Sequence, residues 1–237
     1  MSKKILLGLT TVTREEWRSK VREIDELGIR EISLFPTCLN INERQELYQL
    51  LEKTKLEKIP HVHLRSDMEL AELDYFADRF KTKIFNIHSE KSSHPCLADY
   101  AKYHKDIYVE NMEAEPPTEN DLKKYAGLCI DLSHWESGCL LRGPDYKGNI
   151  RMLDLAQRHK IGVNHISAIK PKPFTRHDES TDKDFYHYGS HWLENLGEMD
   201  YVKKYRNYLA DIISIELENS LKRQMEVKKY LERILEL

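Results

Sequence analysis

The chain has 237 residues, 40% hydrophobic and 32% charged, enough apolar material for one sizeable core in one domain spanning 1–237, and no apolar run is long enough to span a bilayer. Lys+Arg 37 against Asp+Glu 40 leaves a net charge of -3, so there is no bulk pull toward nucleic acid or an anionic membrane, although a local basic strip would be hidden in that average. Cys38, Cys96, Cys129 and Cys139 form no CxxC pair, and Met1 leads into an apolar run without a signal peptide, so a reducing cytoplasm is the expected setting.

In chain order, Lys4–Thr10 reads as the first strand. Thr13 and Glu16 form a capping box for a helix whose apolar face carries Trp17, Val21, Ile24 and Leu27 and which Gly28 ends. Glu31–Phe35 is a strand, followed by a helix from Asn42 to Lys55. Ile59–Leu64 is the third strand, and Ser66 with Glu69 boxes a helix carrying Leu70, Leu73, Phe76 and Phe80. Lys83–His88 is the fourth, with a short helix at Leu97–His104; Asp106–Asn111 is the fifth, with a helix from Thr118 to Tyr125. Leu128 to Asp131 is the sixth, and a helix covers Asn149–His159. Gly162–Ile166 is the seventh, Met199–Leu209 is helical, Asp211–Glu218 is the eighth strand, and a final helix runs from Leu221, covering that strand or pairing with a second subunit.

Strands alternating with helices indicate parallel βα units, and eight of them predict a closed (β/α)8 barrel of the TIM type. A doubly wound open sheet fits less well, because no glycine-rich phosphate turn follows the first strand and polar residues end strands along the whole chain. Two long loops, Glu136–Gly148 and Lys170–Glu198, follow strands, on the face where such barrels keep their sites.

Period-two alternation turns one face of each strand inward. Ile213, Ile215 and Leu217 outward put Glu216 in the barrel mouth; Ile107 and Val109 outward put Glu110 there. The same reading points Asp131, His88, His63 and His61 inward, and His165 follows Val163 by two. So many carboxylates and imidazoles together oppose one another without a cation, and mixed oxygen and nitrogen donors suit Zn, Mn, Fe or Co, in about one to three ions.

FNIHS (85–89), YVENM (108–112), LCIDLSHWE (128–136), VNHIS (163–167) and SIELEN (214–219) resemble, in order and spacing, the xylose isomerase-like TIM barrel superfamily, which includes sugar isomerases and epimerases and the endonuclease-four type of abasic-site (AP) nuclease. The ketose epimerases of that group imply one metal on Glu110, Asp131, His165 and Glu216; the nuclease branch implies further ligands at His63, His88 and His134. The family's histidine after the seventh strand matches His191, ahead of Leu196-Gly197-Glu198-Met199-Asp200, with His177 and His187 as rivals. Gly189 stands where the nuclease pattern has an aspartate, which counts against a third metal unless Asp178 or Asp184 substitutes.

Arg65 and Lys170, just past inward histidines, are candidate substrate-binding cations or solvated rim charges, and Trp135 and Trp192 are candidate walls under a sugar ring or loop anchors. Phe185-Tyr186-His187-Tyr188 is a candidate lid, and Cys129 is expected to be buried and no nucleophile. The first expectation is isomerisation or epimerisation of a small sugar or polyol through an enediolate, with Glu110 and Glu216 moving the proton and His134 or Arg65 orienting substrate oxygens. The alternatives are phosphodiester hydrolysis on abasic DNA at a multinuclear zinc site, and a non-catalytic barrel that binds a metal or ligand.

Overall fold

The polypeptide enters through a strand that does two jobs. In the computed structural model, which describes residues 3–12, 17–90, 92, 100–113, 115–178 and 183–237, the first predicted strand is two short ones, β1 (Lys4–Leu6) and β2 (Gly8–Thr10). Then come α1 (Trp17–Glu26), β3 (Glu31–Phe35), α2 (Ile41–Glu52), β4 (Lys58–His63), α3 (Leu70–Phe80), β5 (Ile84–His88), β6 (Ile107–Glu110) and α4 (Glu119–Lys124). The chain continues through β7 (Gly127–Asp131), α5 (Leu132–Arg142), α6 (Lys147–Arg158), β8 (Ile161–Ile166), β9 (Ala168–Asp178) and β10 (Lys183–Ser190). It ends with β11 (Ile212–Ile215) and α7 (Leu221–Leu235).

The main sheet runs β1-β11-β8-β7-β6-β5-β4-β3-β2, with every pair parallel. Because β1 pairs with β11 and β2 with β3, one entering segment closes the ring on both sides, and the structure is a (β/α)8 TIM barrel. At the closing seam the Gln224 side chain of α7 accepts from Gly8 N (2.7 Å) and donates to Gly8 O (2.9 Å), replacing the strand partner that Gly8 lacks there. Outward residues such as Ile107, Val109, Ile130, Ile213 and Ile215 join Phe76, Phe80, Val227 and Leu231 in one buried layer between strands and helices. Inside, Tyr108, Cys129 and Val163 plug the barrel beneath the polar groups.

Several expectations shift. The loop expected at Lys170–Glu198 is largely an antiparallel ribbon, β9 with β10, followed by a 3-10 helix at Leu196–Tyr208 where an α-helix was expected. The loop expected at Glu136–Gly148 is helix through Arg142, because Asp131 caps α5 directly at the strand end, accepting from His134 N at 2.7 Å. The box expected at Ser66 and Glu69 is formed by Glu69 and Glu72, and α2 is boxed by Asn40 and Glu43. The Thr13–Glu16 box lies outside the described residues, as does the start of the Leu97–His104 helix, of which Ala101–Tyr103 is a 3-10 turn. Among the described residues no helix is long and apolar enough to cross a membrane.

Arg44 of α2 is fully buried, with Nε and Nη2 on the two oxygens of Glu72 (2.8 and 2.9 Å), and Tyr48 Oη also donates to Glu72 (2.6 Å). Burial alone would raise the Glu72 pKa, but Arg44 and Tyr48 outweigh it and hold it below the usual carboxylate range. This contribution to stability is therefore fully present above the unfolded pKa of about 4.3 and is lost as pH falls through the depressed folded value. Arg44→Met leaves the carboxylate buried and unpaired, and is expected to cost about 3–5 kcal/mol in urea titrations at pH 7. The loss should shrink as pH falls from about 4.3 through the depressed folded Glu72 pKa; a cost that stays constant across that window would contradict the ion-pair account.

Candidate metal centre

Apart from His61, which lies one layer lower in β4, each inward acid or histidine sits at or beside the C-terminal end of its strand, its outward neighbours being committed to the helix layer. His63 ends β4, His88 ends β5, Glu110 ends β6 and Asp131 ends β7; His165 is the fifth residue of β8, and Glu216 directly follows β11. Parallel pairing brings them level: His88 is in register with Glu110, and Asp131 with His165.

One potential ligand atom from each of Glu110, Asp131, His165 and Glu216 falls within 4.8 Å of the others, all four residues being buried. Two further sets share Glu110 with it: Glu110, Cys129 and His165, which adds only the buried thiol to two members of the first, and a second ligand group, His63, His88 and Glu110. His63 Nε2 is 3.0 Å from Glu110 Oε2, and its Nδ1–H is used on Leu64 O (3.0 Å). His165 Nδ1 lies 3.3 Å from both Glu110 Oε1 and Glu216 Oε2. Asp131 Oδ1 is occupied by Ser133 Oγ (2.6 Å) and His134 N, while Oδ2 is buried with no hydrogen-bond partner, and so is His165 Nδ1. Buried polar atoms are normally satisfied, so two orphaned donor atoms pointing into one carboxylate cluster fit a divalent cation.

Without a cation, the imidazoles offset the carboxylates. Burial opposes the charge on Glu110, but His165 and His63 hold its pKa well below the usual range. Glu216, also buried, is drawn down to about 2 by His191 and His165. Burial disfavours charge on His134, yet Asp131 and Glu110 raise it to about 9; His165 rises well above its ordinary value despite burial, through Cys129 and Glu110. His88 is pushed down to about 4 by burial, and His61 falls well below the imidazole range, by burial and then His165.

The remaining candidates divide. His134 stands at the mouth, Nδ1 donating to Asn111 O (3.1 Å) and lying 3.8 Å from Asp131 Oδ2 and 4.0 Å from Glu110 Oε1, outside both ligand groups. His191 is half-buried and near enough to act on Glu216, but also belongs to neither group among the described residues. His177 pairs with Asp184 (3.0 Å) out on the ribbon, and His187 with Glu113 (3.1 Å), so neither rival enters the cluster. The Asp178 side chain lies outside the described residues. Arg65 is committed to Asp67 (2.8 Å) and the Thr37 carbonyl, and Lys170 to Glu198 (3.2 Å), so both candidate substrate cations are already neutralised. Trp135 is no wall under a sugar: as the fourth residue of α5 it is buried against Tyr205 and Tyr208. Trp192 remains half-exposed at the rim. Cys129 is buried, as expected, and its thiol is pushed up to about 12 by burial. Residues not singled out from sequence are Asn86, two before His88 on the same inward face, and Asn111, whose side chain bonds the Asp131 backbone N (2.9 Å) and O (3.0 Å). Alternation alone would have found Asn86.

No family model and no curated protein matches the chain. Among solved structures, a xylose isomerase-like TIM barrel protein from Mycobacterium smegmatis, in complex with magnesium, superposes with a TM-score of 0.50 at 16% identity, covering 98% of this chain and 96% of that one. An uncharacterized B. cereus protein aligns over 100% of this chain and 65% of its own, with a TM-score of 0.44 and 14% identity. The chain thus shares the TIM barrel fold of that neighbour.

Proposed function

We propose that this xylose isomerase-like barrel is a divalent-metal-dependent isomerase or epimerase of a small sugar or sugar-like polyol. The observation that carries the reading is the buried Glu110, Asp131, His165, Glu216 quartet with its two orphaned atoms, Asp131 Oδ2 and His165 Nδ1. These four residues would hold the ion, and His63 and His88 would hold a second one with Glu110. Nitrogen donors among them favour Zn, Mn, Fe or Co, while the magnesium complex of the fold neighbour makes magnesium worth testing.

When bound, the ion supplies Lewis-acid polarisation of a carbonyl and its neighbouring hydroxyl, which acidifies the C–H proton between them. Glu110 Oε2 is pinned by Asn86 (2.6 Å) and His63, whereas Glu216 is held through His165. Glu216 is accordingly the freer carboxylate to take the proton from carbon, and Glu110 the one placed to return it from another strand. His134, partly exposed at the mouth, orients substrate oxygens. Since Arg65 and Lys170 are already paired, recognition of the sugar rests on hydroxyl contacts at the mouth more than on free rim cations.

The shared Glu110 of the two ligand groups favours one other reading, phosphodiester hydrolysis at a dinuclear site. One preparation, loaded in turn with Mn, Co, Zn and Mg, separates the two. Solvent deuterium should enter at least one member of a panel of ketoses and ketose phosphates, and Glu216→Gln should abolish it; an abasic duplex should stay intact beyond a chelated control. Nicking that Glu216→Gln removes, with no exchange into any sugar, would promote the phosphodiesterase.

A further inference from the structure

His61 lies one layer below the ligands, is fully buried, and belongs to neither ligand group described above. Its partners fix the direction of every bond around it. Asn86 Nδ2 donates to Glu110 Oε2 at 2.6 Å, since only a donor can face that carboxylate. The Asn86 Oδ1 atom is thereby turned to His61 Nε2 at 2.7 Å, which must be the protonated nitrogen. His61 Nδ1 then accepts from Ser214 Oγ (2.9 Å), and Ser214 Oγ in turn accepts from Ser33 Oγ (2.6 Å). The result is a one-way chain, Ser33 to Ser214 to His61 to Asn86 to Glu110, crossing the barrel interior on five strands and ending on the one carboxylate that both ligand groups share.

His61 also constrains His165. The two Nε2 atoms stand 3.5 Å apart, and His165 Nε2 lies 3.3 Å from Cys129 Sγ. With a cation on Nδ1 the ring proton sits on Nε2, and since His61 keeps its own Nε2 proton for Asn86, the His165 Nε2–H would go to Cys129 Sγ. A bound cation, which requires Nδ1 deprotonated, would then find the His165 Nδ1 lone pair aimed at it between Glu110 and Glu216.

We propose that His61 and Asn86 are positioning residues for the metal centre: through fixed proton directions they orient Glu110 and present the Nδ1 lone pair of His165. This rests on the metal-site reading above. Outer partners of this kind are worth about 10–100-fold in metal affinity.

The test is calorimetric titration of the chelator-treated full chain with Mn, Co and Zn, alongside circular dichroism of the metal-free proteins. His61→Phe keeps the ring volume beside Phe35 and His165 but removes both hydrogen bonds. It should weaken the best-bound ion about 10–100-fold. His61→Gln, whose amide N–H replaces the Nε2–H toward Asn86, should recover most of that loss, which a merely space-filling histidine would not require. If His61→Phe fails to fold, Asn86→Asp reads the same bond, because it is isosteric and turns a carboxylate in place of a donor toward Glu110. Unchanged affinity in a folded His61→Phe or Asn86→Asp, or a Gln variant as weak as Phe, overturns the positioning role while the metal centre stands. Wild-type protein that binds none of the three ions overturns both.

Discussion

Asp131→Asn is expected to weaken divalent-metal binding by more than the roughly 100-fold that loss of an outer partner can cost, while the barrel stays folded. Asp131 has two duties on two different oxygens. Oδ1 caps α5 through His134 N (2.7 Å) and takes the Ser133 hydroxyl (2.6 Å); Oδ2 points, unpartnered, into the cluster. An asparagine can still cap with its own Oδ1, being as good an N-cap as aspartate, but it puts an N–H2 donor where the ion needs an acceptor. It also removes one of three carboxylates buried together with Glu110 and Glu216, so the metal-free variant should melt no lower than the metal-free parent. Calorimetric titration and thermal melts on chelator-treated protein read both effects. Metal affinity within tenfold of the parent would remove Asp131 from the ligand set, and an unfolded variant would mean that the cap, not the ligand, dominates at this position.

Gly8→Ala is expected to destabilise the protein by about 4 kcal/mol or more, in the range that single substitutions reach only through a specific steric or burial failure. A Cβ at Gly8 would sit 1.9 Å from the Ile215 carbonyl oxygen and 3.1 Å from the Phe35 ring. The near atom is backbone of β11, the strand that closes the barrel on β1, so relief requires opening the seam. Opening it would also cost the two Gln224 bonds to the Gly8 backbone. For a chain of this size the melting temperature should fall by roughly 8–16 °C, at about 2–4 °C per kcal/mol. A fall of under about 3 °C would show that the seam accommodates a methyl group and that Gly8 is not required for closure.

The alternation of strands and helices was legible from residue order because it is local. Period-two patterning decides which side of a strand faces out, and a parallel sheet hides its outward side under helices, so Ile107, Val109, Ile213 and Ile215 announced the inward Glu110 and Glu216. Eight such units leave few topologies, and the barrel followed. The ribbon β9–β10 did not announce itself: its strands carry Pro171, Pro173 and many polar residues, and a solvent-facing two-stranded ribbon has no buried side to impose a hydrophobic pattern. The helical run after Asp131 was equally quiet, with Ser133, Ser137 and Gly138 among its buried positions.

What the tertiary structure alone decided is which charged groups were already spent. Arg65 and Lys170 look free in the sequence, but Asp67 and Glu198 neutralise them, and Trp135 looks like a ligand wall until α5 turns it into the helix layer. The reverse holds inside the barrel, where His61 and Asn86 look like ordinary inward polar residues until distances of 2.6–2.9 Å join them to Glu110 and Ser214. Patterning depends on an average over neighbours along the chain and survives without coordinates. Pairing and proton direction depend on tenths of an ångström between residues far apart in sequence, and only the closed barrel sets those distances.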